Sequence, residues 1–79
     1  MKTIKVLGSG CANCREAARR IEESVRRLGI PVAVTRVSDL TEYMRYEVET
    51  TPAVVINDRL VHSGSVPSTE QIARWLAVI

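Results

Sequence analysis

Only two cysteines occur among the 79 residues, Cys11 and Cys14. That excludes a secreted disulfide framework, which needs several bridges. A bridge between these two would close too small a loop to remove much unfolded-state entropy, so the pair is not placed mainly for stability. Long apolar runs are also lacking. No stretch approaches the ~20 apolar residues of a membrane span, and the run after Met1-Lys2 is too short for a signal peptide. Charge of one sign is missing too. Eleven basic residues are interleaved with nine acidic ones, and a net charge of +2 with no basic block gives no reason to expect nucleic-acid binding. There is no linker, repeat or low-complexity segment.

What is present fits an ordinary folded chain. Hydrophobic residues make up 46% and charged residues 25%, which argues against disorder. The length allows a single domain over residues 1–79, with a core of little margin. The expected compartment is the cytoplasm, where a C-x-x-C pair is catalytic or metal-binding more often than structural.

Periodicity along the chain predicts seven elements. Thr3 to Leu7 reads as a strand, broken by Gly8-Ser9-Gly10. From Cys11 to Leu28 a helical pattern places Cys14, Ala17, Ala18, Ile21, Val25 and Leu28 on one face. On the other face, Glu16–Arg20, Glu22–Arg26 and Glu23–Arg27 are spaced for i,i+4 ion pairs, and Gly29 is placed to cap the end. Pro31 opens a second strand, Val32 to Val37, apolar enough to be parallel and covered on at least one face. Asp39-Leu40-Thr41-Glu42 has the form of a capping box for a short helix to about Tyr46. Ala53 to Ile56 is a third strand, Asn57-Asp58 a tight turn, and Leu60 to His62 a fourth strand. Ser68-Thr69-Glu70-Gln71 caps a last helix with Ile72, Trp75, Leu76 and Ile79 on one face. The order βαβαββα predicts an α/β fold, a four-stranded mixed sheet with helices on both faces.

The cysteines fall where the first strand hands over to the first helix, the crevice where open α/β sheets place their chemistry. At a helix N-terminus, unpaired N–H groups and the dipole favour a thiolate at Cys11 and lower its pKa. Cys14 lies one turn inward, placed to attack a mixed disulfide formed at Cys11. Gly10 leaves room for a substrate backbone to come close. Two other readings stay open for the pair: small buried residues at a helix start, or zinc ligands. Structural zinc takes four protein ligands and catalytic zinc usually three, whereas the chain offers only Cys11, Cys14 and His62 on a distant strand; a zinc site would need two protomers or that histidine, and no resident metal or other cofactor is expected. His62 itself reads as a partly exposed strand residue. For Thr51-Pro52 a trans bond is the default from the dipeptide alone. Lys5 is odd on a central strand; its stem lying on apolar surface with the amine in water is the plain reading, and a cation or proton relay near the cysteines the other.

Taken together, Gly8-Ser9-Gly10-Cys11-Ala12-Asn13-Cys14 after a strand, Thr51-Pro52-Ala53-Val54-Val55-Ile56-Asn57 before a hairpin, and Gly64 after it resemble the small redox-active disulfide proteins of the thioredoxin superfamily. The resemblance covers nearly the whole chain. It implies a thioredoxin-like fold with a cis Pro52 beside Cys11, Cys11 as nucleophile and Cys14 as resolving thiol. It also implies substrate contacts from Gly10, Gly64 and the backbone of Thr51, which would pair with an extended substrate as an added strand. Compared with larger thioredoxins, Ser9 and Gly10 stand where a Trp precedes the first cysteine, and Ala12-Asn13 replaces Gly-Pro. The first strand also has no acidic residue to take a proton from Cys14. Glu47 stands before Val48 where the small family commonly has glycine, which argues against a standard left-handed cap on the second helix.

The resulting expectation is a thiol–disulfide oxidoreductase, a monomer that reduces protein disulfides and is recharged by an upstream disulfide reductase. The alternatives are a soft-metal carrier or a non-enzymatic redox sensor using the same cysteines. Heavy-metal-associated domains share the first thirty residues' pattern, but their order is βαββαβ. Thr51-Pro52 and the terminal helix from Ser68 weigh against them.

Overall fold

The computed structural model describes residues 2–8 and 10–79. Ser9, read above as part of the glycine break, lies outside them. The elements are β1 (Lys2–Leu7), α1 (Ala12–Leu28), β2 (Val32–Val37), α2 (Leu40–Arg45), β3 (Ala53–Ile56), β4 (Arg59–Ser63) and α3 (Thr69–Ala77). All seven predicted elements are present in the predicted order. The strands form one mixed sheet in the order β2-β1-β3-β4. β1 runs parallel to β2 and antiparallel to β3, and β3 and β4 form a hairpin. Asn57 and Asp58, at the turn, both take positive φ, 50° and 65°, as a two-residue type I′ turn requires.

Alternation along β1 sorts the core. Ile4 and Val6, with Val54, meet Ala17, Ala18 and Ile21 of α1 and Ile72 and Leu76 of α3. Leu7, Ala53 and Val55 form a smaller cluster on the other face, covered by Val37, Tyr43, Tyr46 and Val48. Helix α1 follows its predicted face as far as Val25, which packs against the core. At its end the expectation needs correction: Leu28 is half exposed, and Ser24 joins the buried face. Ser24 lies near Ser68 and Thr69, where α1 meets the start of α3. In α3, Ile72 and Leu76 are buried and Trp75 is half-buried; Ile79 lies past the helix end yet still packs on the core.

The helix ends are largely as predicted. The N–H groups of Gly29 and Ile30 donate to Arg26 and Val25, with Gly29 at φ 65°. Ser68 and Gln71 form a complete capping box. At α2 only half of the box forms. Asp39 accepts from the Thr41 N–H at 2.9 Å, but the Glu42 carboxylate is drawn to Lys5 Nζ, 2.8 Å away. Glu47 also departs from expectation. It adopts φ 56°, and the Glu47 and Val48 N–H groups donate to Met44 and Tyr43, which is the two-bond left-handed cap that its side chain argued against. The ion pairs are rearranged as well. Glu16–Arg20 forms, but Arg19 takes Glu23, and Arg36 on β2 takes Glu22 with two hydrogen bonds. A planar guanidinium across the sheet edge offers Glu22 a two-point grip.

Candidate functional site

Chain reversal after β1 brings Gly8 to the start of α1. The Gly8 N–H donates to the Val37 carbonyl at 2.9 Å, holding this segment to the end of β2. Cys11 is the N-cap of α1, in an extended conformation with φ −67° and ψ 162°. An N-cap side chain normally supplies an oxygen to a first-turn N–H. Here sulfur does so: the Cys14 N–H donates to Cys11 Sγ at 3.1 Å. Cys11 is exposed, whereas Cys14 is only 5% exposed and begins the buried face that continues through Ala17, Ala18 and Ile21. The two cysteines are joined as a disulfide, with Cα atoms 5.0 Å apart.

Gly8 contributes something the sequence reading missed. A Cβ at this position would lie 2.6 Å from Cys14 Cβ and would also run into Cys14 Sγ. The missing side chain is what lets Cys14 lie against the end of β1. In sequence Gly8 and Gly10 look alike, both members of a strand-ending break. The structure separates them, because a Cβ on Gly10 would meet nothing within 4 Å, while its φ of 85° favours glycine.

The Thr51–Pro52 bond is cis, and Pro52 is buried. The pairing of Leu7 with Ala53 places Pro52 just past the β1–β3 ladder, at the sheet end where Gly8 turns toward the cysteines. Gly64, at φ 93°, donates its N–H to the Pro52 carbonyl at 2.9 Å. A Cβ there would come within 3.0 Å of Thr50 Oγ1, so Gly64 packs tightly on the Thr50–Pro52 segment. Cys11, Cys14, Gly10, Thr51, Pro52 and Gly64 thus all lie at one end of the sheet.

Two other residues are placed elsewhere. His62 lies on β4 with its Nε2 3.0 Å from the Ser65 carbonyl oxygen and its ring 5.8 Å from that of Trp75. Lys5 follows neither sequence reading. Its amine donates to Glu42 at 2.8 Å and to the Tyr46 hydroxyl at 3.2 Å, and Tyr46 donates in turn to Asp58 at 3.0 Å. This chain ties the central strand to α2 and the hairpin turn. The Glu42 hydrogen bond, then that of Tyr46, raises the Lys5 pKa, and the Lys5 hydrogen bond lowers that of Glu42.

An exposed cysteine capping a helix, a second one buried beneath it, and a four-stranded sheet that presents both define a class: small dithiol–disulfide proteins built on the thioredoxin fold. Comparison with known proteins agrees. The thioredoxin domain family matches residues 2–77. The chain is 33% identical over 76 residues to a thioredoxin of Methanocaldococcus jannaschii, spanning 96% of this chain and 87% of that one. It is 27% identical over 77 residues to a thioredoxin of Methanothermobacter thermautotrophicus, spanning 98% of this chain and 100% of that one. The chain belongs to the thioredoxin domain family. Its activity is accordingly that of a thiol–disulfide oxidoreductase. No helix among the described residues is long and apolar enough to cross a membrane.

Proposed function

We propose that this chain is a single-domain, monomeric cytoplasmic reductant of protein disulfides, with Cys11 as nucleophile, Cys14 as resolving thiol, and an upstream disulfide reductase to restore the dithiol. The inequality of the two sulfurs carries this reading. Cys11 is exposed and accepts a backbone N–H at the helix start; Cys14 is buried below it. A thiolate at Cys11 is stabilised by that N–H and by the helix dipole.

In the reaction, Cys11 Sγ attacks one sulfur of the partner disulfide and the other leaves as a thiolate. Cys14 then attacks Cys11 Sγ, the partner departs with its second thiolate, and the intramolecular disulfide forms. An approaching chain could pair along Thr51, whose main-chain groups have no backbone partner among the described residues. Gly10 and Gly64 bring no side chain into that approach, and buried Pro52 supports it from behind.

The test is capture. Cys14→Ser should hold a covalent complex with an oxidised protein substrate through Cys11, seen as a reducible mass shift, while Cys11→Ser holds none. Capture by Cys11→Ser and not by Cys14→Ser would reverse the assignment. Normal turnover by both variants would show that exchange does not need the pair.

A further inference from the structure

Strand β4 lies at the edge of the sheet, and its pairing with β3 slips by one residue. His62 stands opposite Val54 and Leu60 opposite Val55, so Val61 is an extra residue, a β-bulge. The slip decides which way His62 faces. Side chains alternate along a strand, so without it Leu60 and His62 would share one face. Instead Leu60 falls on the α2 side with Val55, and His62 on the side of Val54, which packs under α1 and α3. There its ring lies 5.8 Å from that of Trp75 on α3, at an interplanar angle of 55°. A bulge also blunts an edge strand against pairing with other chains. That duty alone would be met by any residue at position 62.

The polar contacts of His62 ask for more than any residue. Its Nε2 lies 3.0 Å from the Ser65 carbonyl oxygen and 3.1 Å from Ser65 Oγ. A carbonyl oxygen only accepts, so Nε2 carries the hydrogen and donates it. With its ring against half-buried Trp75 and its donor on Ser65, His62 closes the Ser63-Gly64-Ser65 turn. Gly64, inside that turn, donates to the Pro52 carbonyl at 2.9 Å and packs on Thr50 too tightly for a Cβ. The turn that His62 closes is therefore the one that backs Thr50-Thr51-Pro52.

We propose that His62 is a positioning residue for protein substrates: it fixes the Gly64 turn, and through it the Thr51 backbone along which a partner chain pairs. This rests on the exchange reading above. The hydrogen bonds of His62 go to Ser65 and not to the cysteines. A disulfide carried by an extended chain needs the strand at Thr51, whereas a small disulfide reaches exposed Cys11 without it. His62 therefore sets the rate on protein disulfides and leaves the chemistry of the cysteine pair unchanged.

The test compares insulin with bis(hydroxyethyl) disulfide in single turnovers of the reduced full-length protein, freed of reductant. Oxidation is followed by acid quenching, alkylation and mass measurement. His62→Ala and His62→Phe should each lower the second-order rate on insulin about threefold to tenfold, the size expected for one lost hydrogen bond. The phenylalanine keeps a ring against Trp75 and removes only the donor. His62→Gln, whose amide N–H can take the place of Nε2–H, should retain the wild-type rate. With the small disulfide all three variants should match the wild type, and so should their reduction potentials in glutathione buffers.

A His62→Phe variant as fast on insulin as the wild type, or a His62→Gln variant as slow as His62→Ala, would overturn the assignment. Equal losses on both disulfides, or a shifted potential, would also overturn it, since His62 would then act on the whole fold or on the cysteine pair. Each of these results leaves the exchange reading intact. Failure of the wild type to exchange with either disulfide would defeat both.

Discussion

On one face of the sheet, α1 and α3 set Ala17, Ala18, Ile21, Ile72 and Leu76 against Ile4, Val6 and Val54. On the other, the six residues of α2 contribute no buried side chain, and Leu7, Ala53 and Val55 are covered by the half-buried Val37, Tyr43, Tyr46 and Val48. The first face is held by apolar burial, whose stabilisation scales with area removed from water. The second is latched by polar contacts, from Glu42 through Lys5 and Tyr46 to Asp58. Leu40 and Met44 of α2 remain 68% and 72% exposed, so that helix gains little from burial. Cys14 belongs to the first face, as the start of the α1 stripe. The site is therefore fixed by the stronger half of the molecule, and α2 is the part expected to open first in local unfolding.

Substitutions that act on one face at a time sharpen this contrast. The largest effect is expected at Ile21, only 1% exposed in the α1 stripe. Ile21→Ala should cost about 2–5 kcal/mol in urea denaturation, the range for truncating a large buried aliphatic side chain. In so short a chain this is enough to unfold a substantial fraction, and a loss below about 1 kcal/mol would mean that the face is less tightly packed than described. Gly8→Ala comes next, since its Cβ would overlap Cys14. Overpacking of this kind costs about 1–3 kcal/mol. The loss should shrink when Cys14 is also replaced by Ala, which a double-mutant cycle would read as coupling between the two positions.

On the α2 face the expected changes are smaller, and one has the opposite sign. Glu47 sits at φ 56°, a conformation disfavoured by about 1–2 kcal/mol for a residue with a Cβ. Glu47→Gly should stabilise the protein by up to about 1 kcal/mol, because glycine's greater freedom in the unfolded chain offsets part of the relief. A destabilised variant would show that this left-handed cap does not form.

The smallest effect is a pH dependence at Lys5. The folded-state pKa of Lys5 is raised, so its contribution is present below its ordinary value of 10.5 and lost as pH rises through the folded value. That of Glu42 is lowered, so its contribution is present above 4.5 and lost as pH falls through the folded value. The stability difference between the wild type and Lys5→Met should therefore be widest between these limits and narrow on both sides. A difference independent of pH would assign the role of Lys5 to packing alone.

The parts legible in sequence were those set by near neighbours in the chain. The stripe from Cys14 to Ile21, the Gly29 cap and the Ser68–Gln71 box all depend on residues within one or two helical turns. Thr51-Pro52 became informative only in company with the cysteine motif, as a resemblance. What escaped was decided by partners far along the chain. Glu22 faced Arg26 in the helical pattern but is claimed by Arg36 from β2. Glu42 had the spacing of a capping residue but answers Lys5, thirty-seven positions away. Leu28 continued the apolar period past the point where the sheet and α3 could cover it. Gly8 carried no signal of its own, because its importance lies in the side chain of Cys14 on the next element.

The central claim is that Cys11 and Cys14 cycle between dithiol and disulfide and that the protein works as a reductant. Equilibration in glutathione buffers of graded ratio, followed by thiol alkylation and mass measurement, tests both parts at once. The account predicts one two-electron transition with a midpoint more reducing than about −200 mV, on the side of the scale where dithiols give up electrons to protein disulfides. A midpoint near about −120 mV would make the protein an oxidant and contradict the proposed direction, and a pair that stays oxidised in excess dithiothreitol as well would contradict the cycle itself.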